Sequence, residues 1–104
     1  MSLAELKNLL STTQFPVAYN AFPAEEDITP PFITYSEAYT NNFGSDDTVY
    51  KKYRHVQIDL WTETKDEAAE DTLETILSGI GFWDSTETFE DNQYIYRKTY
   101  DLEL

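Results

Sequence analysis

Along the chain, the spacing of apolar residues shifts between helical and strand periods, and each shift marks an element. Leu3, Leu6, Leu9 and Leu10 recur on one side of a helical wheel, and Ser2 with Glu5 has the spacing of a capping box, so a short amphipathic helix opens the chain. After Ser11, Thr12 and Thr13 the pattern turns to alternation over Val17, Tyr19 and Ala21, a short strand whose start or edge is marked by Pro16. Residues 23 to 31 hold three of the four prolines together with Glu25, Glu26 and Asp27, a composition that cannot continue a ladder and reads as a loop.

Residues 32 to 39 and 49 to 61 are rich in β-branched and aromatic side chains, which fit a pleated, half-buried surface. The intervening residues 40 to 48 are polar and turn-prone, so the two strands form a long hairpin with a mobile tip that orders on assembly. Within the second strand Val56, Ile58 and Leu60 face one way while His55, Gln57, Asp59 and Trp61 face the other. Trp61 is thereby an apolar side chain on a polar face. Ala69, Leu73, Ile76, Leu77 and Ile80 then define a second helix, begun by Thr64 and Glu67 at capping-box spacing and ended by a left-handed Gly79 or Gly81. From Phe82 onward the chain reads as two strands about a turn at Glu90, Asp91 and Asn92. The predicted order is α-β-β-β-α-β-β, with Val56, Ile58 and Leu60 packed on Leu73, Ile76 and Leu77 of the second helix and on Leu6, Leu9 and Leu10 of the first.

Composition narrows the range of functions. A chain of 104 residues has room for one domain, so residues 1 to 104 are read as a single α+β domain, and 40% hydrophobic with 15% aromatic residues is enough for a core. Twenty acids against seven Lys and Arg give a formal charge of -13, which repels phosphate backbones and anionic lipid and makes direct nucleic-acid or membrane binding unfavourable. There is no cysteine, no apolar run long enough to span a bilayer and no basic-then-apolar start of the export type, so folding in the cytoplasm is expected.

Catalytic chemistry has little to draw on. His55 is the only histidine, no phosphate-binding glycine motif occurs, and no cofactor is expected, so a non-enzymatic role is predicted. Glu25, Glu26 and Asp27, like Asp46 and Asp47, lack the alternating ligand spacing of a calcium loop and read as hydrated loop acids. Four like-charge i, i+4 pairs crowd the second helix, Glu63 with Glu67, Asp66 with Glu70, Glu67 with Asp71 and Glu70 with Glu74. Such a helix is either a solvated acidic face or one that meets a basic partner. Lys51, Lys52, Arg54, Arg97 and Lys98 lie in two strand segments that could supply one on a neighbouring subunit, which makes Glu67, Glu70 and Glu74 with Lys51, Lys52, Arg54 and Trp61 the candidate subunit interface.

Several strings in order give the chain a family likeness. Pro31-Phe32-Ile33-Thr34-Tyr35 is followed by Asn42-Phe43, the acids Asp46-Asp47 and the strand start Val49-Tyr50-Lys51. Leu60-Trp61-Thr62 then precedes Lys65-Asp66, and the last strand carries Tyr96 and Tyr100. Over residues 30 to 104 this resembles the small tail terminator, or tail completion, proteins of long-tailed bacteriophages. Trp61 stands where the family pattern has Tyr, and Asn92-Gln93 where it has acids. The resemblance implies an α+β fold with a mixed or antiparallel sheet and both helices packed on one face. It implies a homo-oligomeric ring, commonly of six subunits, between a tail tube protein and a head-tail connector protein. The product would be a structural component of the virion tail, assembled in the host cytoplasm. A compact acidic domain of this charge has one competing use, as a DNA-mimic inhibitor that occupies the basic groove of a nucleic-acid enzyme.

Overall fold

The computed structural model describes residues 1 to 44, 50 to 91 and 94 to 104, with the side chains of residues 39 to 44 and 50 to 53 outside that description. Helix α1 (Leu3–Ser11) starts on the expected capping box: the Glu5 amide donates to Ser2 Oγ at 3.1 Å, and the Ser2 amide to Glu5 Oε1 at 3.3 Å. The chain then forms β1 (Val17–Tyr19), β2 (Phe32–Gly44), β3 (Tyr50–Thr62), α2 (Glu67–Ser78), β4 (Trp83–Glu90) and β5 (Ile95–Glu103). The order is α-β-β-β-α-β-β. One mixed sheet contains all five strands, in the order β1-β2-β3-β5-β4. Among the described residues only the β1 and β2 pair is parallel.

Both helices lie on one face, where Leu6 and Leu10 of α1 and Leu73 and Leu77 of α2 are fully buried against Ile33, Ile58 and Leu60. The seven-residue spacing from Leu3 to Leu10 aims Leu3, Leu6 and Leu10 inward and leaves Leu9 half-buried at the margin, as Ile76 is on α2. Tyr100 is also fully buried, with Trp83 edge-on at 5.3 Å.

Three local expectations change. The α2 cap is Asp66, not Thr64, because the Asp66 carboxylate accepts the Ala69 amide at 3.0 Å and the helix begins at Glu67. Gly79 ends α2 in the right-handed region (φ -74°), so no left-handed glycine is used. Residues 40 to 44, expected in the hairpin linker, continue β2 in register with residues 50 to 54. Strand pairing here outweighs the weak intrinsic preference of Thr40, Asn41 and Asn42. The tip proper, residues 45 to 48, lies outside the described residues.

This pairing gives the molecule an arm. β1 pairs with β2 only over residues 33 to 35, and β5 pairs with β3 only from His55 onward, with one further bond from the Leu104 amide to the Arg54 carbonyl. Beyond those points β2 and β3 pair only with each other among the described residues. Where the arm leaves the sheet the register slips between Glu37 and Tyr39, so Ala38 is an extra residue in β2, a β-bulge that bends and twists the strand.

Candidate assembly surfaces

The sheet face away from the helices carries a row of side chains set by register. Phe32, Trp61 and Arg97 stand opposite one another across β2, β3 and β5. Phe32 stacks on Trp61 (5.9 Å, 19°), and the Arg97 guanidinium lies 5.5 Å from the Trp61 ring centre. Phe22, from the loop after β1, closes edge-on against Phe32 at 5.5 Å. The Trp61 indole donates to Thr34 Oγ1 at 3.0 Å, and Arg97 is held 3.3 Å from Asp59 and 3.5 Å from Glu90. Trp61 therefore lies on the open face, as its parity required, but half-buried in an aromatic row.

The loop of residues 20 to 28 and this row enclose an open cleft of about 460 Å³, with Phe22, Phe32 and Trp61 inside and Glu26 and Asp27 in its lining, both exposed. A second open cleft, about 620 Å³, shares Ile28 and Phe32 and runs to Glu63, Tyr94 and Ile95. Tyr94 is 80% exposed.

On the helical face the acids of α2 meet cations of their own chain. Glu70, 7% exposed, accepts from Lys65 and Lys98, each at 2.9 Å. Lys98 also reaches Glu74 at 3.2 Å, Lys65 reaches Glu87 at 3.0 Å, and the Tyr100 hydroxyl donates to Glu74 at 2.7 Å. Burial alone would raise the Glu70 carboxyl, but the hydrogen bonds and charges of the two lysines outweigh it and hold the group below its ordinary value. Burial works against Lys98 too, yet its two carboxylate partners leave the ammonium harder to deprotonate than usual. Burial, reinforced by the Glu74 carboxylate, raises the Tyr100 hydroxyl.

The predicted interface residues are thus divided by the structure. Glu70 and Glu74 are engaged within the chain, Glu70 by Lys65 and Lys98 and Glu74 by Lys98 and Tyr100. Lys98 between them converts a like-charge i, i+4 pair into a bridged one. Glu67 is exposed in the first turn of α2. Arg54 Nε lies 3.2 Å from Glu37 across the hairpin. Lys51 and Lys52 are in the β3 half of the arm, opposite Phe43 and Asn42 in register, with their side chains outside the described residues. His55 lies 3.9 Å from Glu103. Phe82, expected to open the C-terminal strands, lies before β4 and is fully exposed.

Among the described residues no group of three or more His, Cys, Asp or Glu side chains converges as a metal site, and no helix is long and apolar enough to cross a membrane. No family model and no curated protein matches the chain.

Proposed function

We propose that this chain is a structural subunit of a self-assembling ring, a tail terminator or tail completion protein that caps a phage tail tube and joins it to the head connector. The two-stranded arm carries the reading. A two-stranded ribbon is marginally stable in water, and its edges offer unpaired backbone groups to another chain. A fold that builds such an arm out of a five-stranded sheet, and leaves the face behind it without helices, is shaped for contact with further protein. The element order and the placement of both helices on one face agree with what the sequence resemblance implies.

Sedimentation velocity over a range of concentrations, with negative-stain imaging of the largest species, tests the reading. Concentration-dependent growth to one closed species, imaged as a ring, is the expected result. A chain that stays monomeric at every concentration, alone and mixed with a tail tube protein, would overturn it.

A further inference from the structure

The two open clefts on the sheet share Ile28 and Phe32 and so form one groove. It runs across the end of the sheet from the loop after β1, over β2 and β3, to Tyr94 and Ile95 at the start of β5. Neighbouring strands lie about 4.8 Å apart, which gives the groove room for roughly four or five extended residues at about 3.3 Å each. Its floor is aromatic, with Phe32 stacked on Trp61 at the centre, Phe22 edge-on to one side and the Tyr94 ring exposed at the far end. The charged residues in its lining are all acids, Glu26 and Asp27 in the first cleft and Glu63 in the second. All three are exposed, and none of them pairs with a cation among the described residues.

A groove this open leaves a small molecule largely in solvent, whereas an extended segment of protein can lie along it. Aromatic faces beside unpaired carboxylates select cationic side chains, whose apolar stems cover the rings while their charges reach the acids. A second copy is a poor source of that charge. The chain carries -13 overall, and Arg54, Lys65, Arg97 and Lys98 already lie within 3.3 Å of carboxylates of their own chain. Lys51 and Lys52 share their hairpin with Asp46 and Asp47. We infer that the groove binds a short, extended segment of a different protein, rich in Lys or Arg, whose stems pack on Phe32, Trp61 and Tyr94 and whose charges meet Glu26, Asp27 and Glu63. This docking goes beyond the assembly reading and does not rest on it, because a single copy carries the whole groove.

A yeast-displayed library of random dodecapeptides, sorted on the labelled wild-type protein, tests it. The enriched peptides should be rich in Lys and Arg. By fluorescence anisotropy their synthetic forms should bind E26K/D27K about tenfold or more weaker than the wild type, and Tyr94→Ser about threefold or more weaker. D71K/D84K makes the same charge change at exposed acids of α2 and β4, away from the groove, and should alter binding by less than about twofold because salt screens it. Thermal melts verify that the variants fold, and E26Q/D27Q replaces the reversal if that variant melts early. Failure to enrich basic peptides, or binding that either groove variant leaves intact or that D71K/D84K weakens equally, would overturn the docking. Break-up of self-assembled protein by saturating peptide would overturn it too, by making a second copy the occupant. A wild type that stays monomeric yet binds the peptides as described overturns the assembly reading alone and supports the docking.

Discussion

Replacing Lys98 by Met keeps the length and apolar stem of the side chain and removes its charge from between two carboxylates. In the native chain its ammonium lies 2.9 Å from Glu70 and 3.2 Å from Glu74, with side-chain exposures of 19% for Lys98, 9% for Glu70 and 23% for Glu74. Removing one partner from a buried ion pair costs about 3 to 5 kcal/mol, and a hydrogen bond to a charged group is worth about 1.5 to 3. Glu70 retains Lys65, and Glu74 retains the Tyr100 hydroxyl and partial hydration, so the expected loss is about 2 to 3 kcal/mol, or on the order of 10 to 20 °C in Tm for a domain this size. Lys65→Met is the internal comparison. Its side chain is 43% exposed, as an ordinary surface pair would be, and its loss should be about 1 kcal/mol or less.

The pH dependence of the Lys98→Met loss follows from the directions of the shifts. Glu70 titrates lower in the folded chain than in the unfolded one, so its contribution is present above the unfolded value of about 4.3 and is lost as pH falls through the folded value. Lys98 and Tyr100 titrate higher when folded, so their contributions hold below about pH 10 and are lost as pH rises through their folded values. Chemical denaturation should therefore give a Lys98→Met penalty that is level from about pH 5 to 9 and shrinks in acid. A penalty no larger than that of Lys65→Met, or one unchanged at pH 3, would refute the bridged-carboxylate account.

Three further substitutions probe other parts of the fold. Leu73→Ala, at a fully buried position in the helix and sheet core, should cost about 2 to 5 kcal/mol, and an unchanged thermal midpoint would contradict the packing. Asp66→Ala removes the side chain that accepts the Ala69 amide and should cost about 1 kcal/mol, whereas Thr64→Ala should cost clearly less; equal losses in urea melts would return the cap to Thr64. Phe82→Ser should leave stability within about 0.5 kcal/mol because the ring is fully exposed, and a substantial drop in Tm would mean the ring is packed in solution.

The sequence disclosed what local pattern encodes. The Ser2 and Glu5 box, the Leu73 and Leu77 stripe and the alternation of Val56, Ile58 and Leu60 each depend on near neighbours, and each leads to the observed element. The length of β2 was hidden because Thr40, Asn41 and Asn42 have loop preferences that cross-strand pairing overrides. The acids of α2 were visible as an anomaly, but their in-chain partners were not. Lys98 and Tyr100 lie 24 to 28 positions from Glu70 and Glu74, a separation that only the placement of β5 beside β3 closes. Trp61 was identified from its parity, while alternation puts Phe22 in the first strand, which ends at Tyr19, so its contact with Phe32 from the following loop has no local signal.

The bulge at Ala38 sits where the sheet hands over to the arm, so one unpaired residue sets the direction in which the arm points. In a ring of the kind proposed, if subunits join through the arm, that direction is repeated at every joint, and a fixed angle repeated is a fixed curvature. Whether such an array closes, and after how many copies, would then be written in a single backbone irregularity rather than in the contact surfaces themselves. Deleting Ala38 would realign the ladder while leaving the rest of the arm sequence intact, and native mass spectrometry would report the outcome as a changed number of subunits per closed particle, with an unchanged number counting against this role for the bulge.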